Sequence, residues 1–134
     1  MTGLESATMR EFRIVVPNET GQLAKVAKAL ADRGVNLKAF TGLEFGSEAL
    51  LAIVPEDPDT AREALSSLGI IVREVELAHA EVEDRPGAVA EFTHQLTEAG
   101  VNLETTYLMK HNDEFHIVFT SPDLPALRRA LGIP

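Results

Sequence analysis

The sequence predicts an α+β protein built from two copies of one βαββα unit, with a further strand closing the first copy and none closing the second. Three observations predict it. Residues 12–65 lie over residues 78–131 without a gap when the chain is offset by 66 positions. Within each copy, the apolar spacing switches between a period of two and a helical stripe. Glycines fall at matching points, Gly21 with Gly87 and Gly34 with Gly100.

The repeat is the strongest of the three. Val16 lies over Val82, Ala24 over Ala90 and Leu30 over Leu96, and Gly34-Val35-Asn36-Leu37 returns as Gly100-Val101-Asn102-Leu103. A four-residue block inside an ungapped frame marks a duplication. In the first strand Phe12, Ile14 and Val16 alternate with Arg13 and Val15. Ala78, Ala80 and Val82 likewise alternate with His79 and Glu81, so each strand has one buried face. A helix follows, with Leu23, Val26, Ala27 and Leu30 as its apolar stripe, matched by Val89, Phe92 and Leu96. Gly34 and Gly100 stand where a left-handed residue ends a helix.

Two strands come next in each copy, Val35–Phe45 with Glu48–Val54, and Val101–Lys110 with Glu114–Thr120. Gly46-Ser47 and His111-Asn112-Asp113 are their turns. The second helix of copy one opens near Asp59 and runs over Ala61, Ala64, Leu65 and Leu68. That of copy two takes Ser121 as N-cap, Pro122 as its first residue, and Leu124, Leu127 and Leu131 as its stripe. Ile70–Leu77 then adds the last strand of copy one, whereas copy two is followed only by Gly132-Ile133-Pro134. Apolar parity flips at Leu77–Ala78, which requires a bulge, bend or change of sheet. The expected organisation is a lead-in over 1–10, one module over 11–77 and a second over 78–134. The missing strand leaves an edge, and a second chain covering it makes the protein a homodimer.

Composition narrows the function. Apolar residues make up 45%, enough to bury a core, so the chain is globular. A formal charge of −9 repels phosphate backbones, which argues against nucleic acid and anionic membranes as partners. The chain has no cysteine, so thiol catalysis and Cys-based metal sites are excluded. No apolar run approaches the ~20 residues that span a bilayer, and the lead-in lacks the apolar core of a signal peptide. The expected location is cytoplasmic.

The chemistry concentrates between the first strand and first helix of each copy, in Pro17-Asn18-Glu19-Thr20-Gly21-Gln22-Leu23 and Glu83-Asp84-Arg85-Pro86-Gly87-Ala88-Val89. The first backbone N–H groups of a helix, here around Gln22, Leu23, Ala88 and Val89, lack internal partners and carry the positive end of the macrodipole. Gly21 and Gly87 let a small ligand approach that backbone. Asn18 and Asp84 at the rim accept hydrogen bonds from an ammonium. A carboxylate on the amides with an ammonium on Asn or Asp describes an α-amino acid. The same residues also have a structural reading, with the glycines permitting close strand–helix packing and Asn18 or Asp84 capping the helix.

Asn or Asp, two spacers, glycine and a helix, then Gly-Val-Asn-Leu entering the second strand, resembles the ACT domain in both copies. The resemblance implies a ferredoxin-like βαββαβ module that pairs with another and binds an amino acid at the interface. Asp84-Arg85-Pro86-Gly87 with Gly100-Val101-Asn102-Leu103 and Tyr107-Leu108 is similar to the serine-sensing regulatory domain of phosphoglycerate dehydrogenases. Asn18-Glu19-Thr20-Gly21 with Leu23 is more similar to the regulatory subunit of acetolactate synthase. The implied contacts are Asn18 or Asp84, the glycines Gly21 and Gly87, and Asn36 or Asn102. Val16 and Val82 stand where serine-sensing domains carry histidine, so the sequence departs from the serine-binding pattern there.

Other polar residues read as surface. His79, His94, His111 and His116 lack zinc spacing and are expected to be solvated. Glu81, Glu83 and Asp84 have no nucleophile or cofactor motif beside them. Phe40 and Tyr107, midway along the second strands, are core or interface residues. The expected protein is no enzyme and needs no cofactor. It senses an amino acid and modulates a partner enzyme; the alternative is a ligand-free subunit that only assembles with an enzyme.

Overall fold

A computed structural model describes residues 9–111 and 114–123, together with Pro125 and Arg129. The chain divides into two compact units, one extending through Val75 and the other starting at Glu76.

The first unit runs β1 (Arg10–Pro17), α1 (Gln22–Asp32), β2 (Leu37–Phe45), β3 (Glu48–Pro55), α2 (Pro58–Ser66) and β4 (Val72–Glu76). Its sheet has the order β2-β3-β1-β4, with β3 antiparallel to both β1 and β2. Register explains the core. Phe12 lies opposite Ile53, and Ile53 opposite Phe40, so the three form one row. Phe12, Ile14, Val16, Leu51 and Ile53 face Val26 and Leu30 of α1 and Ala61, Ala64 and Leu65 of α2. Each large side chain sealed here contributes about 1.5–3 kcal/mol of transfer free energy. A β-bulge between Leu37 and Ala39 interrupts the start of β2.

α2 opens at Pro58 with Asp57 as its N-cap, rather than at Asp59. The Asp57 carboxylate accepts from the Thr60 N–H at 3.1 Å and the Thr60 hydroxyl at 2.6 Å, with Pro58 next in the first turn. Those hydrogen bonds hold the Asp57 carboxyl below its ordinary range. Arg62 grips Glu74 of β4 with two nitrogens and Asp59 with a third at 2.9 Å, while Arg10 of β1 stands 3.2 Å from the same Glu74. This cluster ties α2 to the β1–β4 side of the sheet, and Arg62 pulls the Glu74 carboxyl down. Glu11, on the outward parity of β1, is fully buried and accepts from Arg13 Nε at 2.7 Å.

The second unit runs β5 (Ala78–Val82), α3 (Ala88–Glu98), β6 (Thr105–His111) and β7 (Glu114–Thr120), in a three-stranded sheet ordered β5-β7-β6. Both strand pairs are antiparallel. Ala78, Ile117 and Phe119 meet Phe92 and Leu96 of α3, and the Phe92 and Phe119 rings lie 5.2 Å apart at 46°. β4 and β5 belong to different sheets with only Leu77 between them, so the parity flip is a change of sheet.

Three expectations need correction. β6 starts at Thr105, not Val101. The Val101 N–H turns back to Leu96 O at 3.0 Å, and the Gly100 N–H to Thr97 O at 3.0 Å, so Val101–Leu103 is the helix exit. Gly100, at φ +70°, supplies the left-handed residue for this turn. Pro122, expected as the first helical residue, is not helical, although Ser121 Oγ accepts from the Asp123 N–H at 3.3 Å; Pro125 is the first described helical residue. The expected stripe Leu124, Leu127 and Leu131 lies outside the described residues, as do Asn112 and Asp113 of the hairpin turn. His116, read as solvated, is only 4% exposed, with its ring 5.4 Å from that of the half-buried His79.

Candidate functional site

Each unit presents one loop between its first strand and first helix, and the two are built alike. Gly21 caps α1 at φ +92°, ψ −11°, and Gly87 caps α3 at φ +89°, ψ −14°. Both lie in the left-handed region, which a side chain enters only under strain. Neither cap has a side-chain hydrogen bond. The Gln22 N–H reaches Glu19 O at 3.3 Å and the Lys25 N–H reaches Gly21 O at 3.0 Å. Between them, the N–H groups of Leu23 and Ala24 have no partner among the described residues. The second loop repeats the pattern. Ala88 N–H bonds Arg85 O at 3.3 Å and Glu91 N–H bonds Gly87 O at 2.9 Å, and the N–H groups of Val89 and Ala90 between them have no partner among the described residues. Two adjacent amides at a helix start can hold the two oxygens of a carboxylate.

The polar rims differ. Asn18 Nδ2 donates to Gly46 O at 2.8 Å, and its backbone N–H to Ser47 O at 2.9 Å, so Asn18 pins the loop to the β2–β3 turn. Asp84 forms no side-chain hydrogen bond or ion pair among the described residues. Its neighbour Arg85 does the bracing instead, donating to Glu83 at 2.7 Å and to Glu91 at 2.6 Å. Glu91 sits in the first turn of α3, where its charge suits the dipole, and the Arg85 guanidinium lowers its carboxyl pKa. Leu23 and Val89, 46% and 43% exposed, place apolar surface beside the helix-start amides.

Asn36 and Asn102 lie elsewhere. Pro17 and the β2–β3 turn share one end of the first sheet, whereas Asn36 precedes Leu37 at the far end of β2, where its carbonyl accepts from the Glu56 N–H at 2.9 Å. The nine residues of β2 separate the two by on the order of 25 Å. Asn102 stands in the same relation to Asp84. Within one unit, the loop and the asparagine cannot touch one small ligand. Tyr107, half-buried on β6, lies opposite Val118.

Away from the loops, a groove of about 290 Å³ runs between α1 and α2, lined in part by Lys25, Lys28, Arg33 and Leu68. Among the described residues, no group of three or more His, Asp or Glu is placed to hold a metal ion. No helix there is long and apolar enough to cross a membrane.

Comparison with known proteins agrees with this architecture. A model of the ACT domain pair matches residues 7–126. Among solved structures, protein BT0572 from Bacteroides thetaiotaomicron is similar at a TM-score of 0.83 and 25% identity, over 92% of this chain and 85% of that one. The ligand-free regulatory subunit of aspartate kinase from Thermus thermophilus shares the fold at a TM-score of 0.68 and 20% identity, over 95% and 93% of the two chains. The corresponding subunit from Thermus flavus does so at 0.60 and 20%, over 92% and 90%. No curated protein is significantly similar in sequence. With the match spanning both copies of the repeat, the chain belongs to the ACT domain pair family.

Proposed function

We propose that this protein is a regulator that senses a small amino acid and transmits its presence to a partner enzyme, without catalysing a reaction itself. One observation carries the reading: both modules open their first helix on a left-handed glycine, followed by two adjacent amides that have no partner among the described residues. The ligand carboxylate takes those amides, and its ammonium takes the rim residue. Asp84, a carboxylate side chain with no partner among the described residues, suits an ammonium better than Asn18, whose Nδ2 is held by Gly46 O. The second module is therefore the tighter site. Asn36 and Asn102 join a site only where two modules meet, which couples binding to assembly. The fold shared with the aspartate kinase regulatory subunits supports an enzyme as partner.

A thermal-shift screen of the twenty amino acids on the full chain tests this. Ligand at a hundred times its Kd stabilises by about 2.7 kcal/mol, a rise of several degrees. Asp84→Ala should remove most of the rise, and binding that survives it unchanged refutes the assignment. The anchoring of Asn18 to the β2–β3 turn supports a second reading, in which the loops only organise the fold and the chain assembles with an enzyme unliganded. No shift with any amino acid, on protein that melts cooperatively, selects that reading.

A further inference from the structure

Packed helices ordinarily interdigitate large side chains, but α1 and α2 line the groove between them with Ala29 and Ala64, and the space stays open. Leu68 extends its apolar lining. A volume of about 290 Å³ lies at the small end for a complete small-molecule site and suits a few side chains of a larger partner. The charge of the groove runs against that of the chain. Lys25, Lys28 and Arg33 line it with one anion, Asp32, in a protein whose formal charge is −9. Lys28 donates to Asp32 at 2.8 Å, and Arg33 lies 3.7 Å from Glu63. Both pairs are exposed, so each holds its cation weakly and can exchange it for another carboxylate. Lys25 makes no side-chain hydrogen bond or ion pair among the described residues.

Helix stability does not account for these cations. Lys25 stands in the first turn of α1, where the positive end of the macrodipole disfavours it. Its counterpart in the repeat is Glu91, which suits the dipole of α3. The counterparts of Lys28, Ala29, Asp32 and Arg33 are His94, Gln95, Glu98 and Ala99. The duplicated helix therefore forms with two glutamates and no lysine or arginine at these positions. A residue set that breaks a local rule without a structural return points to function.

We infer that this groove docks a short acidic segment of a partner protein. One or two apolar side chains enter between Ala29, Ala64 and Leu68, and flanking carboxylates take Lys25, Lys28 and Arg33. A bare inorganic anion would leave the apolar lining unused, and an uncharged hydrocarbon would leave the cations unused. A segment carrying both chemistries is the occupant that satisfies the whole lining. The inference rests on the reading that the chain acts through a partner protein, and it requires no amino-acid binding: the loop residues Asn18, Gly21 and Leu23 do not line the groove.

The test titrates the 15N-labelled full chain with the peptide acetyl-Glu-Glu-Leu-Leu-Glu-Glu-amide, with no amino acid present. Shifts should saturate and concentrate at the amides of Lys25, Lys28, Ala29 and Leu68. The same peptide with lysines in place of its glutamates should bind at least ten-fold more weakly, and added salt should weaken the acidic peptide. Lys25→Glu combined with Lys28→Glu should raise its Kd about ten-fold. Ala29→Gln, which installs the residue of the second module, should also weaken it by filling the groove. The comparison of peptides uses the unaltered chain, so it decides the matter even where a variant melts early. No saturable shift, shifts centred elsewhere, or equal affinity for the two peptides would overturn the proposal. Such a failure beside intact stabilisation by an amino acid would remove the groove and leave the sensing reading standing.

Discussion

Replacing Gly21 by alanine isolates the strain on which the first loop is built. The residue sits at φ +92°, ψ −11°, and an added Cβ would meet nothing within 4 Å. Steric conflict is therefore absent, and the whole effect is the expense of holding an L-residue in the left-handed region, about 1–2 kcal/mol. Alanine also narrows the unfolded ensemble, but where φ is positive that gain is the smaller term. The net loss should be about 1 kcal/mol, or roughly 4–8 °C in Tm for a domain of this size. At Gly87 the added Cβ would lie 3.8 Å from Arg85 Nη1, an ordinary contact, so Gly87→Ala should lose about as much. The glycines lie in different compact units, and the double variant should lose about the sum, roughly 2 kcal/mol. Urea titration followed by circular dichroism measures each midpoint. Variants as stable as the parent would show that the loop relaxes to negative φ without penalty. A loss above about 3 kcal/mol would show a hidden clash, and either result refutes the strain argument.

Other consequences follow from the first unit. Leu30→Ala empties a position that is 1% exposed between α1 and the sheet, and denaturant unfolding should show a loss of about 2–5 kcal/mol. Asp57→Ala removes both hydrogen bonds that cap α2, so the thermal midpoint should fall while Asp59→Ala, at a position that does not cap, changes it less. Arg62 holds the Glu74 carboxyl below its ordinary value of 4.5. A depressed carboxyl contributes stability that is full above that value and lost as pH falls through the lower folded pKa. Unfolding midpoints should therefore drop as pH falls below about 4.5, and Arg62→Ala should flatten that part of the profile.

Much of the fold was legible because the duplication supplies each element twice. The alternation of Phe12, Ile14 and Val16, the stripe Val26–Leu30 and the exit glycine Gly34 are local signals, and each forms the element its spacing indicates. The parity flip at Leu77–Ala78 was readable as a bulge, bend or change of sheet, and the strand order makes it a change of sheet. What escaped is non-local. Asn18 reads as a rim residue, yet its amide is spent on Gly46, 28 residues away, a contact fixed only when β1 and the β2–β3 hairpin align. Asn36 enters the candidate site as a contact that the family resemblance implies. Strand register places it at the far end of β2. His116 and Glu11 look like surface positions by parity, and their burial is not written in the spacing of their own strands. The exposed run Phe40–Phe45 is likewise visible as an edge only once the strand order is known.

The most direct test of the central claim is a titration of 15N-labelled protein with the amino acid that stabilises it most, read amide by amide. The account expects the largest shifts at Val89 and Ala90 on α3, weaker ones at Leu23 and Ala24 on α1, and loss of the α3 set in Asp84→Ala. Saturable binding that leaves all four amides unmoved would contradict it, and would place the ligand away from both helix starts.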